Sequence, residues 1–65
     1  MQTTVFRYEV WDEKMARFIR SNYCATEDTI VATQGARPIR DESYHVKVSK
    51  LDPEGRISVT YFQGD

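Results

Sequence analysis

Residues 3–30 read TTVFRYEVWDEKMARFIRSNYCATEDTI and hold two candidate strands followed by the start of a helix. In the first part, residues 3–11, the side chains of Phe6, Tyr8 and Val10 alternate with charged ones. This period-two pattern is typical of a half-buried β-strand, and most residues of the segment are strand formers. The segment is therefore predicted to be a strand.

Residues 15–23 are ambiguous, because their apolar side chains have helical spacing while the same stretch also alternates as a strand. The residues that follow favour the strand. Thr26 is a good N-cap for a helix, and two acidic residues follow it in the first turn. A separate helix over residues 15–23 would end just before Thr26 and would lack room for its own C-cap. A loop over residues 12–15 then makes a hairpin with Tyr8 opposite Ile19. A helix over residues 15–23 stays open as the alternative.

The second half predicts one short helix and a second hairpin. The helix runs over residues 26–34 and stops at Gly35, a good C-terminal residue for a helix. Residues 44–48 and 57–61 alternate as strands, and Pro53 and Gly55 between them fit a type I turn followed by a residue with positive φ. The predicted fold class is α+β, a small antiparallel sheet with one short helix packed on one face, in ββαββ order.

The length and charge of the chain limit what it can be. Its 65 residues fit one domain, residues 1–65, with a small core. Nine basic and ten acidic residues give a net charge of −1, which argues against a polybasic nucleic-acid tail or membrane-binding arm. A single cysteine, no long apolar run and no signal-like start predict a cytoplasmic product of a bacterium or phage.

Catalysis and metal binding find little support in the residue types. One histidine and one cysteine are too few for a zinc site, and the glycines are scattered turn residues rather than a phosphate loop. Cys24 precedes the helix, where a thiol pKa is sometimes lowered, but a small buried side chain is the simpler interpretation. We therefore expect no enzyme activity, no cofactor and no metal, and keep a thiol-dependent activity at Cys24 as a distant alternative.

The sheet face opposite the helix is the candidate contact site. In the predicted register it carries large aromatic side chains with basic residues around them, and no helix covers it. The residues predicted to line the contact are Trp11, Phe18, Arg20, His45, Lys47 and Phe62. The partner is predicted to be a protein, a second copy of the chain above all, because small domains often need association to be stable. Binding of single-stranded nucleic acid on the same face is the alternative.

A resemblance to other proteins rests on three segments of the chain: YEVWD at residues 8–12, ATEDTI at residues 25–30 and GARPI at residues 35–39. The chain resembles short uncharacterised bacterial proteins in which a Tyr-x-[Ile/Val]-Trp-Asp strand precedes an Ala-Thr-x-x-x-Ile helix. The resemblance spans residues 8–48 and departs in the last hairpin. It implies a strand–strand–helix–strand order and no particular activity.

Overall fold

The β1–β2 hairpin forms the centre of the fold in the computed structural model, which describes residues 1–62. The chain is a small α+β fold with a four-stranded antiparallel sheet, in the order β3-β1-β2-β4, and one short helix. The elements are β1 (Gln2–Asp12), β2 (Arg17–Thr26), α1 (Glu27–Ala32), β3 (Ala36–Lys47) and β4 (Arg56–Ser58). Short 3₁₀ turns at Val48–Lys50 and Val59–Phe62 follow β3 and β4, and by these two turns the full order of elements departs from the predicted ββαββ order.

The ambiguous second segment is a strand, and β2 pairs with β1 as a hairpin. Asp12 begins the loop, because its Oδ1 accepts hydrogen bonds from the backbone N–H groups of Lys14 at 2.9 Å and Met15 at 3.1 Å. Ile19 lies opposite Val10, so the predicted pairing of Ile19 with Tyr8 is wrong. The observed pairing is shifted by two residues along β1 from the predicted one. Because side chains alternate with a period of two, this shift leaves Ile19 on the same face of the sheet as Val10 and Tyr8, as predicted.

The helix begins where the sequence predicted and ends early. The Thr26 hydroxyl accepts from the Thr29 backbone N–H at 3.3 Å, which satisfies one of the free donors at the start of α1. The helix ends at Ala32 rather than at residue 34, because Thr33 already adopts extended backbone angles. So short a helix depends on packing, which Ile30 supplies against Tyr8 and Ala25.

The predicted C-terminal hairpin is wrong. β3 pairs with β1 and β4 pairs with β2, so these two strands lie at opposite edges of the sheet. The predicted tight turn does form: the Gly55 N–H donates to the Asp52 carbonyl at 2.9 Å, and Gly55 has φ of 84°. The 3₁₀ turn at Val48–Lys50 ends β3 before that turn, and the chain then crosses the sheet instead of returning beside β3.

Both faces of the sheet therefore carry core residues. On the helix side the buried cluster is Tyr8, Ala25 and Ile30, with Phe6, Val10 and Ala36 packed against it. On the other side it is Val5, Cys24, Val46 and Ile57, covered by Leu51, Val59 and Phe62. The prediction that nothing covers the face opposite the helix is thus wrong for the half that contains Val5, which is 0% exposed. Within residues 1–62, no helix has the length and apolarity to cross a membrane.

Candidate interaction surface

The other half of that face stays open. It lies at the end of the sheet nearest the β1–β2 loop, where the strand pairing places Trp11 opposite Phe18 and Glu9 opposite both Arg20 and Arg37. Directly opposite residues of an antiparallel pair share a face. We call this surface the open patch; it consists of Glu9, Trp11, Phe18, Arg20, Arg37 and Glu42.

Two aromatic rings form the apolar centre of the open patch. The rings of Trp11 and Phe18 meet edge to face, with centroids 5.2 Å apart. The Trp11 backbone N–H donates to the Gly35 carbonyl at 2.8 Å, which fixes the end of β1 against the turn after the helix. Trp11 is nevertheless 44% exposed, so a large apolar side chain faces solvent.

The charged residues of the open patch are paired with one another. Arg37 Nε donates to Glu9 Oε1 at 2.9 Å, and Arg20 forms an ion pair with Glu42. The Arg37 guanidinium also lies over the Phe18 ring, 3.6 Å from its centroid, in a cation–π contact. Exposed pairs of this kind contribute at most about 1 kcal/mol each, so their main effect is to fix the orientation of the side chains.

The structure brings together three of the six predicted contact residues, Trp11, Phe18 and Arg20. Phe62 lies over the covered half of the same face, where its ring stacks on Tyr44 with centroids 4.3 Å apart.

His45 and Lys47 are paired with Thr4 and Gln2 on β1, on the side of the helix. Both residues were predicted to lie on the face opposite the helix, and this prediction is wrong. Val46, which lies between them in the strand, packs with Val5 on that opposite face, so its two neighbours point to the helix side. Alternation along β3 shows which residues share a face, but it does not show which face they take.

Glu9, Arg37 and Glu42 belong to the open patch but are not among the predicted contact residues. β3 begins at Ala36, and a bulge between Ile39 and Ser43, opposite Phe6 and Arg7, brings the charged residues into the strand. Bulges depend on pairing between distant strands, so no local signal in residues 36–42 could have located this one.

Cys24 and His45 lie on opposite faces of the sheet and do not form a nucleophile–base pair. Cys24 is 0% exposed and packs in the cluster with Val5. Burial raises the pKa of its thiol above the ordinary 9.0, Arg7 acts in the opposite direction, and Glu42 adds to the rise. His45 Nδ1 lies 3.2 Å from the Thr4 hydroxyl, in hydrogen-bonding range. Residues 1–62 contain no group of three His, Cys, Asp or Glu side chains placed to hold a metal ion.

A shallow groove of about 670 Å³ lies beside the open patch, at the loop end of the hairpin. Val10 and Ile19 supply its apolar wall, and Ile19 is 39% exposed because α1 covers only the other end of that face. Its remaining lining residues are Trp11, Asp12, Glu13, Lys14, Arg20 and Ser21.

No protein-family model, curated protein or solved structure matches this chain. The resemblance to short bacterial proteins therefore stays a prediction, and the function must be inferred from the geometry of the surface.

Proposed function

We propose that this protein is a small non-catalytic interaction module that associates with a second copy of itself through the open patch. The observation that carries the proposal is the half-exposed Trp11 ring packed on Phe18, on a part of the sheet that no described element covers. Tryptophan in such a position is typical of contact surfaces, because its large ring gains from burial. The single buried cysteine supports action in a reducing compartment such as the cytoplasm.

The charges of the open patch support a second copy as the partner. Arg20 and Arg37 alternate with Glu9 and Glu42, so the surface carries both signs around its aromatic centre. A two-fold interface places the same surface on both sides, and a surface with both signs can oppose arginine to glutamate there. The small size of the core also favours self-association, since domains of this size often gain stability by forming oligomers.

The same contacts count against the alternative, single-stranded nucleic acid. Bases stack on free aromatic faces, but Arg37 already covers one face of Phe18, which leaves Trp11 as the more exposed ring of the open patch. Phosphates would need free cations, but Arg20 and Arg37 are paired with carboxylates, and Lys47 lies on the helix side. A protein surface is therefore the better-supported contact.

The test compares Trp11→Lys with Val31→Lys by sedimentation equilibrium. Both changes add one positive charge in place of an apolar side chain. Val31 is 73% exposed and lies on the helix, which packs on the side of the sheet opposite the open patch. We expect the wild type and Val31→Lys to form dimers with the same affinity. Trp11→Lys should sediment as a monomer, because it removes the central ring and adds repulsion near Arg20. A wild type that stays monomeric at millimolar concentration contradicts the proposal, as does equal association of both variants.

Oligonucleotide binding to the same two variants separates the alternative. A nucleic-acid surface at the open patch predicts measurable, salt-dependent binding by the wild type. Trp11→Lys should then bind more weakly at high salt, because it loses the ring on which a base stacks while the added lysine strengthens only the salt-dependent part. The proposed function predicts no binding by the wild type at low salt, measured by fluorescence anisotropy with a labelled deoxythymidine oligomer.

A further inference from the structure

One edge of the sheet stays unpaired beside the open patch. β4 is only three residues long and pairs with Tyr23, Cys24 and Ala25 of β2. Residues 17–22 of β2 therefore have β1 on one side and no strand on the other, within residues 1–62. Free N–H and C=O groups on such an edge can pair with another strand.

The regular part of this edge is residues 17–20. Beyond it the ladder is irregular: the Ser21 carbonyl accepts from Arg7 Nε at 2.7 Å, and the Ser21 hydroxyl accepts from the Tyr23 backbone N–H at 3.0 Å. The free edge of β3 is less suited to pairing, because Pro38 lacks an N–H and a bulge interrupts the strand.

Symmetry restricts how two copies can join through this edge. In a two-fold antiparallel pair one residue lies on the axis opposite itself. An axis at Arg17 or Arg20 would oppose two arginines, which is unfavourable. An axis at Phe18 would place Arg20 opposite Ala16, outside the strand. An axis at Ile19 pairs Phe18 with Arg20 of the second copy.

We propose that two copies pair antiparallel through this edge of β2, with Ile19 on the two-fold axis; the proposal rests on the proposed function. The two open patches then lie side by side on one face of a continuous sheet, with Phe18 and Arg20 at the seam and Trp11 one strand away, packed on Phe18. On the face of the open patch, the Phe18 ring meets the Arg20 guanidinium of the second copy, which is a cation–π arrangement. On the other face, the exposed Ile19 side chains meet each other and close the end of the groove. β4 ends at Ser58, opposite Tyr23, which is two residues beyond Ser21; in this register Ser21 faces Arg17 of the second copy.

A disulfide cross-link tests the register. The Cα atoms of opposite residues in an antiparallel pair lie about 4.5–5.5 Å apart, within the range that a disulfide spans. Ile19→Cys should therefore cross-link two copies under a mild oxidant. Val31→Cys is the matched control, since position 31 is more exposed than position 19 and would react faster in random collisions. The wild type is the second control, because its Cys24 is buried.

At a concentration where the wild type is dimeric, we expect position 19 to cross-link about ten times faster than position 31, since pairing raises the effective thiol concentration. Equal rates in a dimeric protein overturn the edge pairing and leave the proposed function standing. A wild type that is monomeric throughout overturns both.

Amide hydrogen exchange of the wild type gives the same answer without a substitution. Pairing predicts that outward N–H groups within residues 17–20 become at least several-fold more protected as the protein concentration rises. Protection that does not change with concentration in a dimeric sample overturns the edge pairing.

Discussion

Gly55→Ala is the substitution that most sharply tests how the turn and the helix support each other. Gly55 has φ of 84°, in the left-handed region, and an added Cβ would lie 2.5 Å from Thr29 Oγ1 and 3.3 Å from Thr26 Oγ1. These two hydroxyls bond each other at 2.9 Å, and Thr29 Oγ1 donates to the Glu54 carbonyl at 2.8 Å. The new methyl group would therefore displace the contacts that hold the turn against the start of the helix.

The magnitude follows from three contributions. The left-handed backbone costs about 1–2 kcal/mol for alanine. Weakening the Thr26 cap costs about 1 kcal/mol, and loss of the Thr29–Glu54 hydrogen bond costs about 1 kcal/mol more. The sum, about 3–4 kcal/mol, approaches the whole stability expected of so small a core, about 3–5 kcal/mol.

Gly35→Ala is the matched control. Gly35 has nearly the same φ, 80°, but an added Cβ would meet only Trp11 Cβ at 3.6 Å, which is an ordinary contact. It should cost only the backbone term. Urea unfolding, followed by far-UV circular dichroism and the fluorescence of the single tryptophan, gives both free energies of unfolding. We expect Gly55→Ala to be about 2 kcal/mol less stable than Gly35→Ala. Equal values would refute the clash and the coupling of the turn to the helix.

Other predictions concern the core and pH. The buried thiol of Cys24 should react with iodoacetamide far more slowly in the folded protein than in urea at neutral pH; equal rates would contradict its burial. Burial raises the pKa of the Cys24 thiol. The contribution of the neutral thiol to stability is therefore fully present below the ordinary pKa of 9.0 and is lost as the pH rises through the folded-state pKa. Urea unfolding midpoints measured across alkaline pH will show this loss. The pKa of Asp52 is lowered, first by the hydrogen bond from the Arg56 backbone, so its contribution is present above the ordinary 3.8 and is lost as the pH falls through the folded-state pKa. Asp52→Asn should flatten that acid loss, and an unchanged acid profile would contradict the assignment. Val5→Ala should cost about 2 kcal/mol in urea unfolding, against less than about 0.5 kcal/mol for the exposed Val48→Ala.

Local chemistry predicted several elements correctly. Alternation predicted β1, and the need for a free N-cap at Thr26 favoured a strand over a helix for β2. The turn that ends at Gly55 was also recognisable, because a left-handed residue after a type I turn favours glycine. Each of these features depends on residues close together in the sequence, so the sequence carries enough information to predict them.

Pairing between distant segments could not be predicted in the same way. The turn at residues 52–55 suggested a hairpin, yet its flanking segments pair with β1 and β2, because the 3₁₀ turn at Val48–Lys50 redirects the chain. The same limit misplaced His45 and Lys47, whose face depends on the pairing of β3 with β1. One local signal was available: Val5 and Phe6 are adjacent and both apolar, which indicates that both faces of β1 are covered at that end.

The candidate surface was predicted in its centre and missed at its rim. Trp11, Phe18 and Arg20 lie on the short hairpin, whose observed register differs from the predicted one by two residues along β1, and a shift of two residues leaves each side chain on its predicted face. Arg37 and Glu42 reach the surface only through the bulge in β3, and Phe62 belongs to the core of the other half.

Backbone amide chemical shifts of the wild type, followed over a hundredfold range of concentration, test the central claim most directly. Association through the open patch predicts that the shifts of residues 9–11 and 17–20, together with the Trp11 indole N–H, move with concentration. The amides of α1 and of residues 48–55 should stay fixed and serve as the internal control. Shifts that do not move up to millimolar concentration, or that move mainly at α1, would contradict the account.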